Sequence, residues 1–283
     1  MFSGAGAYLP ALVFSQVTIM PTFSIDGCDL VYETHGEGEL LVLLPGFASG
    51  AWSWKHQLPA FAERFRVITF DPRGVSRSIN NGPSGTIGQI ATDVAALLDH
   101  VGEAPANVLG ISFGGFVAQE FALQFPDKVE RLVLACTSFG GAGHVAPAPE
   151  VLMAFASVQG LNSADRIRQY LSMAFTKEFS DSSPEIVDEF CELREANVVP
   201  EDVYMTQLTS AMSFDTTNKV GSIVIPTLVL TGDADTVVPT QNSENLAAAI
   251  PSSTLQVIAG GSHMFFVERA REFNAAVVEF LTK

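Results

Sequence analysis

Six short, mainly apolar runs, separated by stretches of helical periodicity, constrain this chain more than any other feature. They are Leu40–Leu44, Arg66–Phe70, Ala106–Leu109, Arg131–Cys136, Thr227–Thr231 and Thr254–Ile258. Runs of that length with little polar alternation suit strands buried on both faces. Between them, Ile87, Ile90, Val94, Leu97, Leu98 and Val101 recur every three or four residues. Phe116, Ala118, Phe121, Ala122 and Phe125 do the same, so each set lines one face of a helix. Strands alternating with helices imply an α/β fold, a mostly parallel sheet with helices on both faces. Asp26-Gly27, flanked by Phe23–Ile25 and Asp29–Glu33, adds a hairpin ahead of it.

The alternation breaks between about Gly140 and Lys219. A Gly/Pro-rich opening, Gly140-Gly141-Ala142-Gly143 through Pro149, precedes four helical segments with no strand among them: Val151–Val158, Ala164–Phe175, Pro184–Ala196 and Glu201–Met212. The expected organisation is therefore a core of residues 22–139 and 220–283, with residues 140–219 as a helical cap (lid) inserted over one sheet edge. Loops at strand C-termini form the site of such sheets. Residues 1–21 are expected to be an extension ahead of the folded domain. Pro10 and Gln16 interrupt their apolar character, and no Lys or Arg precedes it, unlike a signal peptide.

Composition excludes several functions. With 47% apolar and 16% charged residues the chain can bury a substantial core. Its net charge of −16 disfavours nucleic acid and anionic membrane surfaces as partners. Cys28, Cys136 and Cys191 form no C-x-x-C pair, and neither H-E-x-x-H nor G-x-x-x-x-G-K occurs. The expectation is no metal, no cofactor and a reduced, cytoplasmic setting. A monomer or a homodimer would fit.

The chemistry centres on Gly110-Ile111-Ser112-Phe113-Gly114, a G-x-S-x-G sequence between a strand run and a helical pattern. A serine on that sharp turn presents its hydroxyl, and the glycines allow the backbones to approach. Such a hydroxyl needs a base to take its proton. Of the five histidines, His35 falls in a turn, His56 and His100 in helical patterns, and His144 in the Gly/Pro stretch. His263, in Gly260-Gly261-Ser262-His263, follows the last strand run, at the sheet edge where Ser112 should lie. A lone loop histidine is ordinarily just solvated; its place in chain order makes this one the candidate base. Asp233 and Asp235 leave the Thr227–Thr231 run, and either could orient the imidazole. Negative charge developing on a substrate would need two backbone N–H donors, for which Phe113 and Phe47, in Pro45-Gly46-Phe47, are placed.

These motifs resemble those of α/β-hydrolases, specifically the serine esterase, enol-lactonase and haloperoxidase-like group with a helical cap. The resemblance spans about Thr22 to Lys283. It includes Asp71-Pro72-Arg73-Gly74 continuing to Ser78, Gly232-x-x-Asp235-x-x-x-Pro239 and Gly260-x-x-His263-x-x-x-x-Glu268. It implies a Ser112, Asp235, His263 triad, with Asp233 as a turn-stabilising carboxylate. Two departures stand out: Pro45 replaces the usual histidine before Gly46, and Ser76 stands where glycine is usual.

The resemblance implies a carboxylic ester hydrolase acting through an acyl-enzyme. Enol-lactone or carbon–carbon bond hydrolysis would use the same triad, and the fold also hosts ligand-sensing receptors that barely turn over. Most apolar residues of the insertion are expected to pack among themselves. Phe139, Met153, Phe175, Met212 and Met264 are the candidates for a substrate pocket, fitting a small to medium ester or lactone with an apolar part.

Overall fold

The computed structural model describes residues 21–156 and 163–283. Residues 1–20, hence nearly all of the expected extension, and the end of the expected Val151–Val158 helix lie outside the described residues. The chain runs β1 (Thr22–Ile25), β2 (Cys28–His35), β3 (Glu39–Leu44), α1 (Leu58–Ala62), β4 (Phe65–Phe70), β5 (Ile79–Asn80), α2 (Ile87–Val101), β6 (Ala106–Ile111), α3 (Phe113–Gln124) and β7 (Val129–Ala135). Five helices follow: α4 (Pro149–Ala156), α5 (Ser163–Ala174), α6 (Lys177–Ser182), α7 (Pro184–Ala196) and α8 (Glu201–Met212). The sheet then resumes with β8 (Thr227–Gly232), α9 (Thr240–Ala249), β9 (Ser253–Ile258), α10 (Phe265–Glu268) and α11 (Ala270–Leu281).

The described strands form one sheet in the order β1-β2-β4-β3-β6-β7-β8-β9, with β5 beside β2. From β4 to β9 every pairing is parallel; β2 runs antiparallel to β4, and β1 to β2. The continuous apolar runs have the meaning their length suggests. In β3, Leu40, Val42 and Leu44 join a core with α2 and α3, while Leu41 and Leu43 join the core on the opposite face. The exception is β9, an edge strand whose residues are mostly half-buried or exposed, because β8 covers only one of its sides. No described helix is long and apolar enough to cross a membrane.

Local chemistry sets the helix ends. The Thr86 side chain accepts from the Gln89 N–H to cap α2, and Gly102, at φ 74°, ends it. Thr176 does the same for α6, a six-residue helix too short to show periodicity and absent from the sequence reading. Two histidine placements also differ: His35 ends β2, and His56 lies in a turn before α1.

Arg73 fixes the loop after β4. Its guanidinium forms two bonds with Asp93 of α2, Nε to Oδ2 at 2.5 Å and Nη2 to Oδ1 at 2.7 Å, and both side chains are buried. It also reaches the Ile25 and Asp26 carbonyls, so one side chain joins the β1–β2 hairpin, the loop and α2. Asp71 then accepts from the Ala51 N–H at 2.8 Å and from Arg77 at 2.6 Å. Ser76 takes the left-handed conformation, φ 49°, that the replaced glycine would adopt more easily. Breaking a buried pair from one side leaves a charge without compensation. Arg73→Leu should therefore destabilise the fold by about 3–5 kcal/mol in urea denaturation. A loss below about 1 kcal/mol would show that the pair is not the anchor.

Candidate active site

All the loops carrying candidate residues leave the same edge of the sheet. β6 ends at Ile111, and Ser112 follows at φ 51°, ψ −117°, outside the regions an L-residue prefers, before α3 begins at Phe113. The Ser112 N–H is held by the Ala135 carbonyl at 2.9 Å, and its own carbonyl accepts from Gly115 N–H and Thr137 Oγ1, each at 2.9 Å. The turn closes only because two side chains are missing. A Cβ on Gly110 would lie 2.3 Å from the Gly114 carbonyl oxygen, and one on Gly114 would lie 2.1 Å from that of Leu44.

Against this turn the structure brings two of the other predicted residues. His263 Nε2 lies 3.1 Å from Ser112 Oγ, and its Nδ1 lies 2.9 Å from Asp235 Oδ2. Asp235 Oδ1 accepts the Val237 and Val238 N–H groups at 2.9 and 2.8 Å. That buried carboxylate takes three hydrogen bonds and can only accept, so Nδ1 donates to it and Nε2 is left to accept from the serine. Asp233 is elsewhere, accepting the Gly260 N–H at 2.6 Å and tying the loop after β8 to the one after β9. Glu268 accepts the Ser262 N–H at 2.9 Å and also the Thr176 N–H, which joins the histidine loop to the inserted helices. The N–H groups of Phe47 and Phe113 have no hydrogen-bond partner among the described residues. For Phe113 that follows from its position in the first turn of a helix.

His35, His56, His100 and His144 lie apart. His35 is paired with Glu33, His56 faces Glu189, His100 stacks on Phe23, and His144 contacts Ser138 where burial lowers its pKa.

A cavity of about 40 Å³ adjoins Ser112 and His263, lined among others by Phe47, Trp52, Tyr170, Phe190, Arg194 and Met264. A larger, open depression of about 960 Å³ lies at the opposite edge, where the strands begin, and holds none of the candidate residues. Of the predicted pocket residues only Met264 lines the cavity. Met153 of α4 is 71% exposed, and Met212 is 81% exposed because α8 turns Val203, Gln207 and Ser210 inward instead. Phe175 stacks on Phe179 and meets Phe190 edge-on, one layer behind the cavity. Phe139 packs against the α2–α3 core, and its carbonyl accepts from Thr216.

Cys136, at φ 41° after β7, also lines the cavity. Among the described residues Cys136, Asp235 and His263 offer ligand atoms within 4.8 Å of one another. Burial, reinforced by the Asp235 charge, pushes the thiol well above its usual pKa. Two of the three groups are already bonded to each other, His263 Nδ1 to Asp235 Oδ2 at 2.9 Å. Arg194 and Trp52 were not read from the sequence, where the search was for apolar side chains in the insertion: Arg194 is a cation, and Trp52 lies outside that segment.

The fold is matched elsewhere. Residues 39–270 fit the model of the alpha/beta hydrolase fold family. A protein of Caulobacter sp. (strain K31), provisionally named carbamate hydrolase RutD, is 29% identical over 93% of this chain and 98% of its own length. The 3-oxoadipate enol-lactonase 2 of Acinetobacter baylyi is 29% identical over 90% of this chain and 94% of its own. The crystal structure of a hydrolase from Pseudomonas aeruginosa PA01 superposes with a TM-score of 0.82, at 28% identity, over 94% of this chain and all of that one. The chain belongs to the α/β-hydrolase fold family. Within that family it is a hydrolase.

The glycine contacts make the turn a test of this geometry. Gly114→Ala should cost about 1–3 kcal/mol, the usual range for forcing one group into a packed site. It should also lower activity in the protein that still folds, because the Leu44 and Pro45 carbonyls cannot retreat. Wild-type stability and activity, by thermal melt and ester assay, would contradict the contacts.

Proposed function

We propose that this hydrolase cleaves carboxylic esters with small acyl groups by way of an acyl-enzyme. The observation that carries the reading is the unbroken line Asp235–His263–Ser112 at 2.9 and 3.1 Å, ending on a serine held in a strained turn. Ser112 Oγ attacks the ester carbonyl while His263 Nε2 takes its proton. Asp235 orients the imidazole and stabilises its cation. The oxygen of the tetrahedral intermediate, now negative, sits between the N–H groups of Phe47 and Phe113. His263 returns the proton to the leaving alcohol. Water then repeats the sequence on the acyl-enzyme and releases the acid.

The inserted residues 140–219 act as a cap over this site. The 40 Å³ cavity favours short acyl groups, since longer ones must displace Trp52, Tyr170 or Phe190. Lactones belong to the same chemistry, and one relative is named an enol-lactonase; another carries the name of a carbamate hydrolase. Both compound classes therefore belong beside simple esters in the assay.

Three outcomes are expected. Ser112→Ala should lose at least about a thousandfold in kcat on a p-nitrophenyl ester, as loss of a nucleophile does. Retention of full activity would sink the mechanism. Across p-nitrophenyl esters, kcat/KM should peak between acetyl and butyryl and fall by about tenfold or more at octanoyl, a penalty of the size one or two misfitting methylenes impose. Phe190→Ala should move the peak to longer chains. An optimum at long chains in the wild type would show that the cavity does not set acyl length.

A further inference from the structure

An oxyanion site works only if its donors are fixed before the charge develops. One proposed donor, the Phe47 N–H, sits in the loop that follows β3, in Pro45-Gly46-Phe47. The next residue, Ala48, has φ 50°, a left-handed conformation that alanine avoids. Rotation of the Phe47–Ala48 peptide would relieve that strain and reorient the loop.

Two side chains from the inserted helices hold this peptide at both ends. Gln207 of α8 accepts the Ala48 N–H at 2.8 Å, and its side chain is only 1% exposed. Arg194 of α7 donates to the Phe47 carbonyl at 3.0 Å and to Ser49 Oγ at 2.8 Å. Arg194 has no carboxylate partner among the described residues, and its charge faces neutral oxygens and the Tyr170 ring. Charge-assisted bonds to a carbonyl are stronger than neutral ones. The Tyr204 ring meets Phe47 edge-on at 4.8 Å, and Val203 lies against Gly74, so α8 is seated on the same loops.

We infer that Arg194 and Gln207 are positioning residues that clamp the Phe47–Ala48 peptide, so that the oxyanion site is complete only while α7 and α8 are docked. The inference rests on the catalytic reading given above. It makes the insertion part of the rate as well as of substrate selection.

The test compares Gln207→Met, Gln207→Glu, Arg194→Met and Arg194→Lys with wild type and Ser112→Ala. The readouts are kcat and KM for p-nitrophenyl acetate, and the inhibition constant of a small alkylboronic acid that adds to the serine as a tetrahedral anion. Losing a donor outright costs about a hundred- to a thousandfold, so misplacing one should cost about ten- to a hundredfold in kcat. Gln207→Met and Arg194→Met are expected to show that loss with KM within about threefold of wild type, and boronate affinity should weaken in parallel with kcat/KM. Gln207→Glu, which keeps an acceptor, should recover most of the loss, and Arg194→Lys part of it. Should Arg194→Met fail to fold, the two Gln207 variants carry the test. A rise in KM at unchanged kcat, or unchanged boronate affinity, would overturn the inference while Ser112→Ala remains inactive. An active Ser112→Ala would overturn the catalytic reading itself.

Discussion

The architecture of the site depends on one close approach, that of the backbone after β6 to the end of β3. Gly114 lies where a Cβ would stand 2.1 Å from the Leu44 carbonyl oxygen, and Gly110 meets Gly114 almost as closely. This contact lets β6 turn into α3 within a single residue and forces that residue, Ser112, to φ 51°. The strain is local and the surrounding bonds sustain it: Ala135, the last residue of β7, and Thr137 just beyond it hold the Ser112 peptide groups. From that one turn follow the direction of the serine hydroxyl and the unpaired N–H of Phe113.

The rest of the site is assembled by topology. Parallel strands end at one edge, so residues far apart in sequence meet there: the loop after β3, the turn after β6, and the acid and histidine loops after β8 and β9. The inserted helices then bind these loops from above. Ala174 accepts the Met264 N–H at 3.0 Å, Thr176 donates to Glu268, and Arg194 and Gln207 reach the loop after β3. The insertion thus touches both the histidine loop and the loop carrying Phe47, and a shift of its helices would be felt at both.

Some of this was legible in the sequence because it is written in local chemistry. Continuous apolar runs marked the buried strands, and only β9, at the edge, departs from the burial that a continuous run implies. Ser112, Asp235 and His263 each follow a strand, and glycines mark the turns that bring them together. What was not legible depends on which way a helix faces. Met153 and Met212 look like pocket residues by type, yet they point outward, while the polar Arg194 and Gln207 point in. A buried polar residue on an amphipathic helix leaves no trace in its periodicity. The two-residue β5 and the six-residue α6 are too short to show any.

The proposed reaction makes a covalent intermediate, and that is its most direct test. Wild-type protein quenched in acid during turnover of a p-nitrophenyl ester, then digested and analysed by mass spectrometry, should carry one acyl group on the peptide containing Ser112. The Asp235→Asn variant should acylate the same residue more slowly. An acyl group on any other residue, with Ser112 unmodified during full turnover, would contradict the account.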